Sequence, residues 1–261
     1  MSLLLKNLEG VRQLLAPISG ESRRAAPVAL DRDRADAVLR GGIVPGALHE
    51  IFAGDAGAAA AGFTAALAQL VRGRKRLLWI RQDYAALEHG EIGPTGLAEL
   101  GIDPSGLLML RAADATDALR AAVDALSCVA LGAVIAEIPG NPKILDLVAS
   151  RRLVLAAQNR GVTAFLLRPG AQVEPSAAET RWLVRSAPCT DREDWGAPRF
   201  DAALTRNRRG ETGRWLMEWS CDDGIFRTAP AAHPGTVAAA AVDRPAEAAS
   251  ARAERDWRCA G

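Results

Sequence analysis

The sequence predicts a three-layer α/β domain built on a central, mostly parallel sheet. Between residues 47 and 168, short apolar runs alternate with amphipathic stretches long enough for helices. Several of those runs are continuously apolar rather than alternating, as in Leu77-Leu78-Trp79-Ile80, which suits strands buried on both faces. A strand candidate, Ala47–Phe52, also passes through a Gly- and Ala-rich loop into a helix, the order of a phosphate-binding α/β unit.

Taken in order, Leu3, Leu4, Leu5, Leu8, Val11, Leu14 and Leu15 share one side of a helical wheel over residues 3–15. They predict an amphipathic helix, with Leu4, Leu8, Val11 and Leu15 as a contact stripe for its own domain, a neighbouring subunit or a partner. Residues 17–29 read as a polar linker, and residues 31–39 as a short helix leading to the Gly41-Gly42 turn. After the strand at 47–52, the spacing predicts a helix over 62–71, a strand over 75–82, a short helix over 94–100 and a strand over 106–111. A helix over 114–126, a strand over 130–138, a helix over 143–159 and a strand over 162–168 complete the alternation. Beyond Pro169, residues 180–186 alternate like an amphipathic strand. Residues 200–207 and 215–219 flank the run Arg206-Asn207-Arg208-Arg209-Gly210-Glu211-Thr212-Gly213-Arg214 as a β-hairpin. From Ala229 onward, Ala, Pro, Arg and Glu dominate, which reads as a flexible tail with Trp257 as a candidate anchor. The expected organisation is an N-terminal helix and linker (1–29), a core (30–186), a β extension with the Arg-rich hairpin (187–228) and the tail (229–261).

With Lys+Arg 32 against Asp+Glu 31, bulk charge gives no reason to expect nucleic-acid or membrane binding. The cysteines Cys128, Cys189, Cys221 and Cys259 are widely spaced, without a CxxC pair, so no zinc site is expected. No leader-like segment or long uncharged apolar run stands out, and a cytoplasmic protein is the simplest expectation.

The strand, loop and helix around Gly54, Asp55, Gly57 and Gly62 have the context of a phosphate loop but not its chemistry. A working loop supplies a Lys for the β and γ phosphates and a hydroxyl for Mg²⁺. Here Asp55 is the loop's polar side chain, and alanines fill nearly every other position. Strand carboxyl ends place Asp83, Glu137 and Arg168 at the edge where α/β sheets bind ligands. Arg81 and Arg168 are positioned to pair structurally with Glu137 or Asp83. His49, His89 and His233 stand apart from any nucleophilic set. At the hairpin, Arg206, Arg208, Arg209 and Arg214 can contact phosphates, and its tryptophans can either stack on bases or fill the core.

The order of these features over residues 38–185 resembles the ATPase core of bacterial RecA-type recombinases. The degenerate loop, taken together with Ser176-Ala177-Ala178-Glu179-Thr180-Arg181-Trp182, Leu204–Gly210 and Gly213–Trp219, is similar to the ImuA family. That family comprises RecA-like accessory proteins of bacterial mutagenic translesion synthesis. The resemblance implies a non-catalytic accessory role in the SOS response, with no cofactor. Its implied partner is an ImuB-like inactive Y-family polymerase homologue. RecA, an error-prone replicative-type polymerase, single-stranded DNA and a second copy of the chain are further candidates.

By the same resemblance, the loop Lys and hydroxyl would fall near Ala61, Gly62 or Phe63. Asp83 would fall at the water-activating acid, Glu137 near the Mg²⁺-associated acid, and Arg168 near the residue coupling nucleotide state to DNA. Residues 169–179 would correspond to a shortened DNA-binding loop. Two alternatives stay open: a DNA-binding or residual ATP-binding RecA-like module, and a SulA-like cell-division inhibitor.

Overall fold

The computed structural model describes residues 4–5, 25–31, 34–188 and 196–228. Their strands form one ten-stranded sheet. The strands are β1 (Leu4–Leu5), β2 (Leu48–Ala53), β3 (Arg76–Gln82), β4 (Leu107–Ala112), β5 (Leu131–Glu137), β6 (Thr163–Arg168), β7 (Thr180–Ser186), β8 (Arg199–Asn207), β9 (Gly213–Ser220) and β10 (Ile225–Thr228). Across the sheet they run β1-β4-β3-β5-β6-β2-β7-β8-β9-β10. Pairing is parallel from β1 to β7 and antiparallel from β7 to β10. The architecture is that of a RecA-like three-layer α/β domain, and the hairpin strands continue the same sheet.

The helices are α1 (Arg34–Val38), α2 (Ala59–Arg72), α3 (Asp83–His89), α4 (Pro94–Glu99), α5 (Ala115–Leu126) and α6 (Leu147–Arg160). Helix α2 covers one face, where Phe63 and Leu67 join Ile51, Trp79, Ile135, Phe165 and Trp182. Helices α5 and α6 cover the other, with Leu119, Ala122 and Leu153 against Leu48, Ile80, Val134 and Leu166. The parallel strands are therefore apolar on both faces, as β5 shows by being buried throughout. In β8 and β9 burial alternates instead: Phe200, Ala202 and Leu204, then Trp215, Met217 and Trp219, face the α2 side.

Several sequence expectations are corrected. Leu4–Leu5 form a short strand against Met109 and Leu110, not the first turn of a helix over 3–15, because their backbones join the ladder of β4. Leu8, Val11, Leu15 and Trp257 lie outside the described residues. Helix α2 begins at Ala59, ahead of the expected Gly62, because alanines favour helix strongly. Of the two roles the sequence leaves open for the tryptophans of β9, the structure gives them the core one, with Trp219 fully buried and its Nε1 donating to the Leu100 carbonyl (2.9 Å).

The outer edge of β10 is closed locally. Phe226 N donates to Leu30 O (3.1 Å), and Thr228 Oγ1 donates to Asp31 Oδ2 (2.8 Å). Val28 is bridged to Ile43 by two backbone hydrogen bonds of 2.8 Å. Gly42 sits at φ +116°, and a Cβ there would lie 2.0 Å from Val28 O, so the bridge requires glycine. Among the described residues, no helix is long and apolar enough to cross a membrane, and no cluster of three His, Cys, Asp or Glu is placed to hold a metal.

Candidate functional site

The carboxyl ends of β2, β3, β5, β6 and β7 lie along one edge of the sheet, and the loop after β2 meets it there. This loop closes on β7. Gly54 N donates to Val184 O (2.7 Å), and Gly54 O accepts from Arg185 Nε (3.1 Å). Asp55 Oδ2 accepts from both the backbone N–H and the hydroxyl of Ser186, each at 2.7 Å, while Oδ1 accepts from Gly57 N (3.1 Å). These bonds, the Ser186 N–H foremost, hold the Asp55 carboxyl below the usual carboxylate range. A Cβ on Gly54 would lie 2.5 Å from Arg185 Cγ and 3.1 Å from Val184 O, so glycine permits this close approach. Two N–H groups that a phosphate cradle would present are therefore already bonded within the protein.

The first helical turn carries Ala59, Ala60 and Ala61, and Ala58 provides no side-chain cap. Because the helix starts there, Gly62, Phe63 and Thr64 enter its second turn. Gly57, Gly62 and Thr64 have the GxxxxGK[ST] spacing, which puts Phe63, one of the three places expected near the loop Lys, in the Lys position. The structure removes both key groups from the helix N-terminus. Phe63 is fully buried, with ring centroids 5.1–5.6 Å from those of Phe226, Trp182 and Phe200. Thr64 is buried, and its hydroxyl donates to Ala60 O (2.6 Å).

Glu137 ends β5 and is buried, and so is its neighbour Arg81, the second-to-last residue of β3. Arg81 Nε donates to Oε2 (2.7 Å), Nη2 donates to Oε1 (3.2 Å), and Trp79 Nε1 donates to Oε2 (3.1 Å). Arg81 Nη1 reaches the Gly90 carbonyl (2.8 Å). The expected pairing of Arg81 with Glu137 is therefore present, and it is a fork-to-carboxylate contact. Asp83 opens α3, exposed to solvent. Arg168 is buried, donates through Nη2 to Gly140 O (2.7 Å), and lies 5.6 Å from the Phe52 ring centroid. Burial lowers its pKa, and its Nε lacks a partner in the structure.

The sequence reading missed a second buried set beside this edge. Glu50 Oε2 accepts from Ser176 Oγ (2.6 Å) and Arg181 Nε (3.0 Å), and Arg181 stands over the same Phe52 ring as Arg168. An acid within a mostly apolar strand was the signal, since a buried carboxylate needs a cation or donors. On the other face, His49 Nε2 contacts Val44 O (3.0 Å) and Nδ1 contacts Thr180 Oγ1 (2.7 Å). Burial lowers the pKa of His49 to about 4, so it is neutral near pH 7. With Nε2–H donating to the Val44 carbonyl, Nδ1 accepts from the Thr180 hydroxyl, which itself accepts from Trp182 Nε1 (3.0 Å).

At the Arg-rich hairpin, Arg206 Nη1 donates to Ser176 O (2.9 Å), Arg208 Nε to Ala178 O (3.1 Å), and Arg209 Nη2 to Arg40 O (3.4 Å). Among the described residues, none of these three guanidinium groups forms an ion pair with a carboxylate. Arg214 differs, because it forks onto Asp201 across the β8–β9 ladder and holds that carboxyl below its usual range.

No family model matches the chain. It is 32% identical over 200 residues to Protein ImuA from each of two strains of Caulobacter vibrioides, covering 68% of this chain and 77% of those proteins.

Proposed function

The chain belongs to the ImuA family, and from that premise we propose that it is a non-catalytic accessory protein of SOS-induced, error-prone translesion DNA synthesis. In this reading it acts through contacts with an ImuB-like inactive Y-family polymerase homologue, with RecA and an error-prone replicative-type polymerase as further partners. The observation that carries the reading is the engagement of the carboxyl edge within the protein. The loop is bonded to Ser186, Thr64 is bonded to Ala60, and Glu137 is forked by Arg81. Phosphoryl transfer needs cations and a metal-binding acid free to meet charge as it develops.

The test measures phosphate release from ATP by the full chain, with and without single-stranded DNA, alongside complex formation with the polymerase homologue. The expected result is no sustained release and a stable complex. Release over many turnovers that Glu137→Gln abolishes would overturn the non-catalytic reading, and failure of the wild-type chain to form the complex would overturn the partner.

A second reading, single-strand binding at the hairpin, is favoured by the three guanidinium groups without carboxylate partners. Arg206, Arg208 and Arg209 supply the main phosphate contacts, and Arg214, already paired with Asp201, contributes least. Changing all four to Ala should weaken salt-dependent binding several-fold and flatten its dependence on salt, by about 0.7 in log–log slope for each phosphate that is no longer neutralised. Unchanged binding would remove the hairpin from this role.

A further inference from the structure

Among the described residues, five of the seven large hydrophobic side chains that stand exposed belong to α6 or to the segments beside it: Ile144, Leu147, Val148, Leu155 and Val173. Val148 is 53% exposed and Leu155 60%. At 100° per residue, Leu147, Val148, Arg151 and Leu155 fall within about 100° of arc, on the side opposite the buried Leu153 and Ala157. Ile144 leads into this stripe. Val173 follows Gln172, which is tied to Asn141 by two hydrogen bonds of 2.7 and 2.9 Å. Neighbouring α5 presents Arg120 and Asp124 to solvent instead. The apolar surface is therefore particular to α6 and does not extend to the helix beside it.

The charge around this stripe identifies what fits it. Arg151 stands within this stripe and Lys143 and Arg152 flank it, all three exposed, and residues 143–160 hold four basic side chains against one acid, Asp146. Asp146 Oδ1 accepts the Ala149 N–H (2.7 Å), so that acid serves as the helix cap. A second copy docked through the same face would bring Arg151 and Arg152 against their own counterparts, and like charges at an interface oppose binding. A membrane surface fits less well, since the stripe carries no aromatic side chain to sit among headgroups.

We propose that the outer face of α6 is a docking surface for a helix of a partner protein that presents leucine-like side chains flanked by carboxylates. The apolar side chains interdigitate with Leu147, Val148 and Leu155, while the carboxylates meet Arg151 beside these residues and Arg152 and Lys143 at the rim. This surface rests on the reading of the chain as an interaction protein, but its test does not depend on which partner is the natural one.

The probe is a labelled synthetic amphipathic helix with leucines on one face and glutamates beside them, compared with the same peptide bearing lysines. The full chain should bind the glutamate peptide saturably and the lysine peptide at least about tenfold more weakly. Val148→Glu with Leu155→Glu should reduce the first affinity about tenfold or more, and Arg151→Glu with Arg152→Glu should reverse the peptide preference. All four substitutions lie on the exposed face, and circular dichroism of each variant identifies any that fails to fold. Absence of saturable binding, equal affinity for both peptides, insensitivity to the folded variants, or binding only to anionic phospholipid vesicles would each overturn the proposal. A chain that binds the glutamate peptide yet fails to form the polymerase-homologue complex would retain this surface and lose the partner named above.

Discussion

Burying a single imidazole gives the fold a pH dependence whose sign follows from its surroundings. His49 is wholly buried, and burial lowers its pKa from 6.5 to about 4. The unfolded chain therefore binds a proton here at a higher pH than the folded chain does. Between these values acid favours unfolding; the contribution is complete above pH 6.5 and declines as pH falls toward 4. Unfolding free energy measured by denaturant titration should drop by about 2 kcal/mol from pH 7 to pH 5 through this group, and His49→Asn should remove most of that slope. A wild-type curve that is flat over this interval would contradict the buried neutral imidazole. Asp55, whose carboxyl is depressed by Ser186, acts in a lower and separate window. Neither environment was legible in the sequence, because Thr180 and Ser186 lie 131 positions from their partners.

Helix α2 brings the strand, loop and helix unit into the core. Its Phe63 contacts Trp182, Phe200 and Phe226, so the second turn of the helix is anchored to β7, β8 and β10. Phe63→Ala should destabilise the protein by about 3–5 kcal/mol, read as a lowered denaturation midpoint with an unchanged slope. A loss below about 1 kcal/mol would show that the aromatic cluster closes without it. The hairpin was legible because Trp215, Met217 and Trp219 alternate beside a glycine-bearing turn. Strand β10 was not, since Ile225–Thr228 is only 4 residues long and β9 fixes its pairing. Helix α3 was missed because exposed Tyr84 and Leu87 obscure the period that buried Ala85 and Ala86 would give. The three consecutive leucines at 3–5 fit a helix or a strand equally well from pattern alone.

At the scale of the sheet, the positions that the resemblance assigns to a nucleotide site lie on different elements, and the loop and Glu137 are engaged within the protein. The helix N-terminus carries alanines, β5 presents an acid already neutralised by Arg81, and β7 closes the loop through Ser186. The sheet order was legible as a class because continuous apolar runs mark buried parallel strands. The closure of the site was not, because it depends on contacts between strands far apart in sequence. Because Phe63 and Thr64, the motif's Lys and hydroxyl places, are buried in the second turn, a lysine at the helix start must replace Ala59. If hydrolysis required only that cation, Ala59→Lys at the half-buried first helical position would restore it. The distributed engagement predicts otherwise. Adding Ala60→Thr for the hydroxyl places extra atoms at a position 2% exposed, which should destabilise the fold by about 1–3 kcal/mol through overpacking. The double variant should release phosphate from ATP no faster than the wild type, while the buried Arg81–Glu137 fork keeps the acid from a metal ion. Sustained turnover by that variant, measured beside its unfolding curve, would mean that the loss of the loop cation alone silenced the site and that the carboxyl edge can still rearrange around a nucleotide.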